Sequence, residues 1–340
     1  METKALIVGC AGTELTAEER AFLKAEKPWG FILFARNIET PDQVRRLNDS
    51  FAECVSRKTV PILIDQEGGR VQRLRAPTWH DYPPAAALGA LYLQDKAKGL
   101  RAAWLQSRLH SFDLLPLGFT VDCLPVLDVP AKDGHEVIGN RAYGDEPEIV
   151  SAMGQAACDG LKAGGVMPVI KHIPGHGRAK ADSHKDLPVV DTPRETLEAV
   201  DFPPFAALSN EAMAMTAHVV FSALDAAAPA TTSKTIIDGI IRGQMGFDGL
   251  LMSDDVSMEA LSGDFATRTR AIFNAGCDMV LHCNGLMDQM KAVANETPQL
   301  SGKALSRADA AMAGIGTVDN ADEAETRAEF ADLLAQIPVA

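Results

Sequence analysis

Residues 166–184 read Val166-Met167-Pro168-Val169-Ile170 and then KHIPGHGRAKADSH, which runs from Lys171 to His184. The apolar run lies between Gly164-Gly165 and Gly175, a pattern typical of a buried strand in a parallel sheet. The polar stretch after it holds three histidines and is predicted to be a loop at the carboxyl end of that strand. In α/β barrels this end carries the active site, so the stretch is a candidate active-site loop.

The same alternation of apolar runs and amphipathic segments recurs along most of the chain. Eight strands are predicted, at residues 5–10, 30–35, 61–65, 120–129, 167–172, 212–220, 249–254 and 279–283. Helices are predicted at 16–25, 41–57, 147–163, 193–210, 232–244 and 266–275. Thr40 before Pro41 and Thr192 before Pro193 are signals for a helix start. About eight repeats of strand and helix predict a parallel (β/α)8 barrel of the TIM type. An open doubly wound sheet is the alternative, but no glycine-rich dinucleotide fingerprint follows the first strand.

Two regions depart from this rhythm. Between residues 65 and 120 the strand spacing roughly doubles, which predicts an insertion at the barrel rim with a loop at 76–84 and a long helix at 91–112. From about residue 285 the chain is acidic and rich in alanine, which predicts C-terminal helices on the outside of the barrel. No linker or repeat is found, so residues 1–340 are interpreted as a single catalytic domain.

The composition excludes several classes of function. Thirty-two basic and 46 acidic residues give a net charge of −14, which argues against nucleic acid and against an anionic membrane surface as partners. No apolar run is long enough for a membrane span. The six cysteines form no C-x-x-C pair, which indicates neither a zinc site nor a compact disulfide framework and suits a reducing cytoplasm. The apolar stretch before Cys10 is too short for a secretory signal and is interpreted as the first strand.

Polar residues follow six of the eight predicted strands. The groups are Asp65-Gln66-Glu67 with Arg70 and Arg73; Asp128 with Gly139-Asn140-Arg141; Lys171-His172; His218; Ser253-Asp254-Asp255; and His282 with Asn284. One such residue is weak evidence, because a carboxylate at a strand end is often a salt-bridge partner, and Arg70 is a candidate partner for Asp65. Six strand ends together favour a catalytic site at the barrel mouth. Carboxylates with hydrogen-bonding cations, and no phosphate-binding loop, suit a neutral ligand rich in hydroxyls, such as a sugar.

Four motifs in this order also occur in a known family. They are Leu33-Phe34-Ala35-Arg36-Asn37; IDQEGGRVQR at 64–73; Ala181-Asp182-Ser183-His184 with the Lys-His loop before it; and Phe247-Asp248-Gly249 running into Ser253-Asp254-Asp255-Val256-Ser257-Met258. From the first strand to about Asn284 the chain resembles glycoside hydrolase family 3, most closely the bacterial β-N-acetylhexosaminidases of peptidoglycan recycling. The resemblance implies a cofactor-free, cytoplasmic, retaining β-N-acetylglucosaminidase. Its implied substrate is N-acetylglucosamine joined to 1,6-anhydro-N-acetylmuramic acid, with or without a peptide.

The resemblance also implies roles for individual residues. Asp254 is implied as the nucleophile and His184 as the general acid/base, held and charged by Asp182. The residues implied to bind the non-reducing sugar are Asp65, Arg73, Arg141, Lys171 and His172. Arg36, Asp128 and His218 are candidates for supporting positions without an assigned role. Gly175 and Gly177 suggest a loop that moves when substrate binds. The oligomeric state is not determined, and a monomer is the expectation.

Three alternatives stay open from the residues alone. In the first, the substrate's acetamide attacks, assisted by Asp254 and Asp255, although neighbours on a strand are expected to point to opposite faces. In the second, the chain is a metal-dependent hydrolase with a zinc site formed by His172, His176, His184 and Asp182. In the third, it is a sugar-binding protein without catalysis, which the presence of Asp254 with the Asp182–His184 pair disfavours.

Overall fold

The computed structural model describes residues 3–132, 134–181, 183 and 187–337. Two of the predicted catalytic residues, Asp182 and His184, lie outside the described residues.

The strands form a closed parallel barrel. The described residues contain β1 Lys4–Val8, β2 Pro28–Leu33, β3 Ile62–Ile64, β4 Val121–Asp122, β5 Met167–Pro168, β6 Ile170–Ile173, β7 Val189–Val190, β8 Met213–Thr216, β9 Val220–Phe221, β10 Leu250–Asp255 and β11 Met279–His282. Nine of them follow the order β5-β4-β3-β2-β1-β11-β10-β8-β6. β5 and β6 are two halves of one strand interrupted at Val169; β5 pairs with β4 and β6 with β8, so the sheet closes. The predicted (β/α)8 barrel is confirmed.

Alternation along each strand divides the core into two parts. Ile7, Ile32 and Leu63 belong to a cluster inside the barrel, together with Met213 and Leu250. Their neighbours along the strands belong to a second cluster with residues of the surrounding helices; Leu6, Val8, Phe31, Leu33, Ile62 and Ile64 are examples. Both faces of each strand are therefore buried, which explains why the strands are continuous apolar runs in the sequence.

Helices surround the barrel. They are α1 Ala17–Glu26, α2 Pro41–Val55, α3 Ala85–Gln94, α4 Lys96–Leu114, α5 Pro147–Ala163, α6 Arg194–Thr196, α7 Pro203–Ala207, α8 Phe265–Ala275, α9 Met287–Glu296, α10 Gly302–Met312 and α11 Glu323–Leu334. Leu197–Asp201 and Thr235–Gln244 are π-helical, and Ala35–Asn37, Leu115–Leu117, Gly139–Arg141 and Ala230–Thr232 are 3₁₀ turns. Thr40 caps α2 as predicted, with its side chain accepting from the Gln43 amide. Thr192 caps no helix, because α6 begins after Pro193.

The insertion between β3 and β4 contains two helices where one was predicted. Asp95 ends α3 and starts α4, since its carboxylate accepts from the amides of Ala97 and Lys98 at 3.1 and 3.2 Å. The C-terminal helix α11 packs on α4 through ion pairs such as Arg101–Glu329. Of the three helices that the structure describes after residue 285, α11 covers the insertion, while α9 contacts β1 and α10 contacts β10; the sequence had predicted helices here, on the outside of the barrel.

Two predicted strands are shorter than expected. The segment predicted at 120–129 is a strand only in β4, because Pro125 has no amide to donate to a ladder. The backbone nevertheless continues beside β6, where the Leu127 amide donates to the Lys171 carbonyl at 2.7 Å. The segment predicted at 212–220 ends as β8 at Thr216, and β9 pairs instead with β7 in a separate two-stranded sheet. No helix within the described part of the chain is long and apolar enough to cross a membrane.

Candidate active site

A cavity of about 490 Å³ opens at the carboxyl ends of the barrel strands. Six of the eight predicted site residues line it: Asp65, Arg73, Arg141, Lys171, His172 and Asp254. They come from four segments of the chain that are up to 189 residues apart, counted from Asp65 to Asp254. The barrel thus brings together side chains that the sequence placed at separate strand ends.

The loop after β3 is closed on itself by Gln66. The Gln66 side-chain oxygen accepts from the amides of Arg73 and Leu74, at 3.0 and 3.1 Å. Gly68 turns the chain with a φ of +93°, and a Cβ there would lie 2.4 Å from the Pro83 carbonyl oxygen. Glycine is required at this position for both reasons. The turn returns Arg73 to the side of Asp65.

Five charged residues form a connected group at one side of the cavity, called here the charged wall: Asp65, Arg73, Arg141 and Lys171 line the cavity, and Glu67 contacts two of them without lining it. Asp65 accepts from Arg73 at 2.8 Å and from Lys171 at 2.9 Å. Lys171 also contacts Glu67 at 2.6 Å. Glu67 binds Arg141 through two hydrogen bonds of 2.8 Å each. The wall is therefore an alternating chain of charges, from Arg73 through Asp65, Lys171 and Glu67 to Arg141.

This arrangement keeps the carboxylates ionised. Burial acts to raise the pKa of Asp65, but Lys171 and Arg73 outweigh it and hold the pKa well below its usual range. Burial likewise acts against Glu67, and Arg141 and Lys171 lower its pKa to about 2. Arg70, the candidate partner of Asp65 in the sequence, instead donates to the carbonyls of residues 136–138 and holds that loop.

Three histidines form a second group at the cavity, called here the imidazole wall: His172 and His176 line the cavity, and His218 contacts the backbone of Asp255. Asp128 is fully buried and accepts from His172 Nδ1 at 2.7 Å and from the His176 amide at 2.7 Å. The two rings meet edge to face, with their centroids 5.7 Å apart. Burial, aided by His172, lowers the pKa of His176 to about 4, so this ring is neutral near pH 7. His176 Nε2 contacts the Ser183 hydroxyl at 3.2 Å.

The described part of the histidine loop is anchored at several points. Arg178 pairs with the buried Asp201 at 2.6 Å. The carbonyls of Gly177 and Ala179 accept from the amides of Ala131 and His135, at 3.0 and 2.8 Å. A Cβ on Gly177 would lie 1.9 Å from the Val129 carbonyl oxygen, so this glycine serves close packing. The movement of this loop on substrate binding, suggested by Gly175 and Gly177, stays a prediction.

Asp254 and Asp255 both border the cavity, contrary to the expectation that only one faces the mouth. The pairing of β10 with β11 shifts register between Met252 and Asp255, which breaks the alternation of side chains. Their contacts differ. The Asp255 carboxylate accepts from the amides of Ser257 and Cys283, at 3.0 and 3.1 Å, and from the Ser257 hydroxyl at 2.5 Å. Asp254 accepts from the Asp255 amide at 2.8 Å.

His218 connects this strand end to the neighbouring loop. Its Nε2 lies 3.0 Å from the Asp255 carbonyl oxygen, and its Nδ1 lies 2.7 Å from the Thr231 hydroxyl. Because a carbonyl only accepts, Nε2 carries the proton. Burial lowers the pKa of His218, so the ring is neutral; its Nδ1 faces the Thr231 hydroxyl, which also lies 3.0 Å from the Ala217 carbonyl oxygen. The Thr216 hydroxyl, 2.8 Å from that of Thr231, continues the chain into β8.

The metal alternative has little support in the described residues. No group of three or more His, Cys, Asp or Glu side chains in the described ranges is arranged to hold a metal ion. His172 and His176 are engaged by Asp128 and Ser183. Asp182 and His184, the other two ligands of that hypothesis, lie outside the described residues.

Sequence reasoning missed Glu67 as a site residue and assigned His176 only to a metal. The signal for Glu67 was present, since it lies two positions after Asp65 and two-residue spacing places side chains on one side of an extended chain. The position of His176 in the histidine loop indicated that it belongs to the site. Its neutral state could not be predicted, because it depends on burial in the folded protein. Arg36 contacts the carbonyls of Cys10 and Cys283, which ties the ends of β1 and β11.

The comparisons with known proteins agree with this geometry. The profile of the family described as "Glycosyl hydrolase family 3 N terminal domain" matches residues 3–315. The chain belongs to glycosyl hydrolase family 3. It is a glycoside hydrolase, and the resemblance inferred from the four motifs is confirmed.

Individual relatives match over most of their length. A β-hexosaminidase of Alkalilimnicola ehrlichii is 38% identical over 283 residues, which are 82% of this chain and 80% of that protein. A β-hexosaminidase of Xylella fastidiosa is 38% identical over 295 residues, 85% of this chain and 87% of that protein. The crystal structure of NagZ from Neisseria gonorrhoeae with N-trifluoroacetyl-D-glucosamine has a TM-score of 0.85 at 30% identity, and covers 99% of this chain and 98% of that one.

Proposed function

We propose that the enzyme is a retaining exo-β-N-acetylglucosaminidase that uses Asp254 as its nucleophile. The observation that carries the proposal is the position of the Asp254 carboxylate in a cavity whose charged wall is paired internally. A wall of this kind has hydrogen-bond donors and acceptors for a hydroxyl-rich ligand. The names of the relatives, and the N-trifluoroacetyl-D-glucosamine in the related NagZ structure, support the same substrate class.

In the proposed reaction, Asp254 attacks the anomeric carbon while the bond to the leaving oxygen breaks. His184, charged by Asp182, gives its proton to that oxygen. His184 then takes a proton from water, the water oxygen attacks the anomeric carbon, and the bond to Asp254 breaks. Two displacements give net retention of configuration. The roles of Asp182 and His184 rest on the family resemblance.

The contacts of the two walls support the proposed sugar-binding roles. Asp65 accepts from ring hydroxyls with the lone pairs that Arg73 and Lys171 leave, while Arg73, Arg141 and Lys171 donate to hydroxyls and to the acetamide. His172 offers the sugar its second ring nitrogen, because Asp128 engages Nδ1. The leaving group is proposed to be 1,6-anhydro-N-acetylmuramic acid with or without a peptide, in the cytoplasm, and the chain to be a single catalytic domain.

The acetamide-assisted route is the second mechanism to consider. It needs two carboxylates at the acetamide, and the Asp255 carboxylate is instead occupied by Ser257 and Cys283. A 5-fluoro glycosyl fluoride of N-acetylglucosamine separates the two routes by mass spectrometry of the digested protein. A sugar attached to the peptide that contains Asp254 is expected. Turnover of this reagent without any labelled peptide would favour the acetamide route.

The first experiment is the release of 4-nitrophenol from 4-nitrophenyl N-acetyl-β-D-glucosaminide by enzyme dialysed against EDTA. Rapid release is expected, because neither Asp254 nor the imidazole wall needs a metal in the proposed reaction. No release, with activity restored by added zinc, would overturn the mechanism and return the histidine loop to a metal-binding role.

A further inference from the structure

We infer that Glu67 is a specificity-determining positioning residue of this site. It holds Lys171 and Arg141 in one geometry and limits the positive charge of the wall, so that the cavity accepts an uncharged sugar. The inference rests on the proposed function and goes beyond it, since it assigns the choice between neutral and anionic ligands to a residue that does not line the cavity.

The contacts of Glu67 reach two separate segments of the chain. Its carboxylate takes both hydrogen bonds from the Arg141 guanidinium, which lies after β4. The same carboxylate contacts the ammonium of Lys171, which lies on β6. The Glu67 and Lys171 side chains are only 4% and 2% exposed. A bidentate pair fixes the orientation of a guanidinium as well as its position, so Glu67 determines where both cations meet a ligand.

The backbone around Glu67 is fixed too. Its amide donates to the Val71 carbonyl at 2.8 Å, and its carbonyl accepts from Gln106 at 3.2 Å. The turn that begins at Gly68 closes this loop from the other side. Because hydrogen bonds hold both the amide and the carbonyl of Glu67, its carboxylate is pre-organised and keeps its position when a ligand binds.

Glu67 also sets the net charge of the charged wall. The charged wall has three cations and two carboxylates, so its net charge is +1. Without Glu67 it would be +2, and Arg141 would lose its carboxylate partner in the wall. Buried cations without compensation bind anions, whereas cations that are already paired bind neutral donors and acceptors. Glu67 is thus the residue that keeps chloride, phosphate and acidic sugars from occupying the position of N-acetylglucosamine.

The test compares Glu67→Gln with Glu211→Gln in the same assay. Glu211 is a matched control, because it is 7% exposed, pairs with Lys162 at 2.7 Å, and lies just before β8 at the opposite end of the barrel. For Glu67→Gln we expect the KM for the nitrophenyl substrate, and the dissociation constant of N-acetylglucosamine, to rise at least about tenfold, with a smaller change in kcat. For Glu211→Gln we expect a lower melting temperature and the wild-type KM.

The dependence of KM on sodium chloride concentration is a second test, because a purely structural role of Glu67 would leave this dependence unchanged. Between low salt and about 0.3 M NaCl, the KM of Glu67→Gln is expected to rise further through competition by chloride, while the KM of the wild type and of Glu211→Gln stays constant. Glu67→Asp, which keeps the charge but is one methylene shorter, is expected to raise the KM without the sensitivity to chloride.

The outcomes separate this inference from the proposed function. A wild-type enzyme that neither binds N-acetylglucosamine nor cleaves the substrate would refute the proposed function. An active wild type together with a Glu67→Gln enzyme of unchanged KM and no chloride effect would overturn the inference alone. If Glu67→Gln does not fold, Glu67→Asp decides, and a wild-type KM in that variant would overturn the inference.

Discussion

The two walls of the cavity hold their side chains by different means. In the charged wall each ionised group is fixed by groups of opposite charge, in the chain from Arg73 to Arg141. In the imidazole wall, rings are fixed by a buried carboxylate, by hydroxyls and by a carbonyl. Near neutral pH the carboxylates of the charged wall stay ionised, and their ion pairs hold all five side chains in place. In the imidazole wall, burial lowers the pKa of His176 and of His218 and keeps both rings neutral.

The difference separates binding from chemistry. Paired charges offer many directional hydrogen bonds without a net field strong enough to select an anion. Neutral rings beside Asp254 orient the strand end without adding a positive charge that would lower the nucleophilicity of the carboxylate. Substitutions in the charged wall are therefore expected to change KM, and substitutions that disturb Asp254 are expected to change kcat.

The largest effect is expected for Asp254→Ala. Loss of the nucleophile removes the covalent route, so kcat should fall by at least about 10³-fold while N-acetylglucosamine still binds. Turnover measured with the nitrophenyl substrate and binding measured by calorimetry check this. Asp248→Asn is the control, because Asp248 is exposed and pairs with Arg307 outside the cavity. Unchanged turnover in Asp254→Ala would show that the nucleophile is another group.

A smaller effect, of a different kind, is expected for Asp65→Asn. This change leaves Arg73 without its carboxylate and weakens the hold on Lys171, so kcat/KM should fall by about 100-fold, mostly through KM. Steady-state kinetics separate the two constants. Asp113→Asn removes a carboxylate paired with Arg327 away from the cavity and should leave both constants unchanged. A decrease in kcat with an unchanged KM would contradict the assignment of the charged wall to substrate binding.

His218→Gln tests the imidazole wall. The shorter reach of the amide should let the end of β10 shift, lowering kcat by about tenfold with KM nearly unchanged. Thr231→Val, which removes the hydroxyl that orients His218, should lower kcat less. His282 is the matched control, because it is a buried histidine on the neighbouring β11 that contacts Gln289. If His282→Gln costs as much kcat as His218→Gln, the effect belongs to general packing.

The smallest effects are expected in the pH dependence of stability. The pKa of His176 is lowered to about 4 in the fold, so the unfolded chain binds more protons between about pH 4 and 6.5 and stability falls as the pH falls through this range. Burial raises the pKa of Asp201 to about 6, so the folded chain binds more protons at this group than the unfolded chain does between about pH 4 and 6. Its contribution to stability therefore increases as the pH falls, opposite to that of His176.

Melting curves from pH 7 to pH 4.5 separate these two groups. Asp201→Asn should lose stability more steeply than the wild type as the pH falls, and His176→Gln less steeply, by on the order of 2 °C each. Parallel curves for all three proteins would mean that neither group titrates in this range.

Much of the fold could be predicted from local pattern. Runs such as those of β2 and β10 are apolar on both faces because both faces are buried, and their number and spacing predict the barrel. The ends of these runs predicted the residues that line the cavity. Errors occurred at β4, where Pro125 has no amide for a continued ladder, and at β9, whose backbone pairs with the distant β7.

The sequence by itself determined the barrel, the family and the positions of Asp65, Lys171 and Asp254 at strand ends, because period and residue type are local properties of the chain. Only the tertiary structure decided the partner of each charge: that Asp65 contacts Lys171 and not Arg70, and that Glu67 joins Lys171 to Arg141. It also decided that His176 is neutral. These properties depend on distances of 2.6 to 2.9 Å and on exclusion of water, which arise only when segments far apart in sequence close into one barrel.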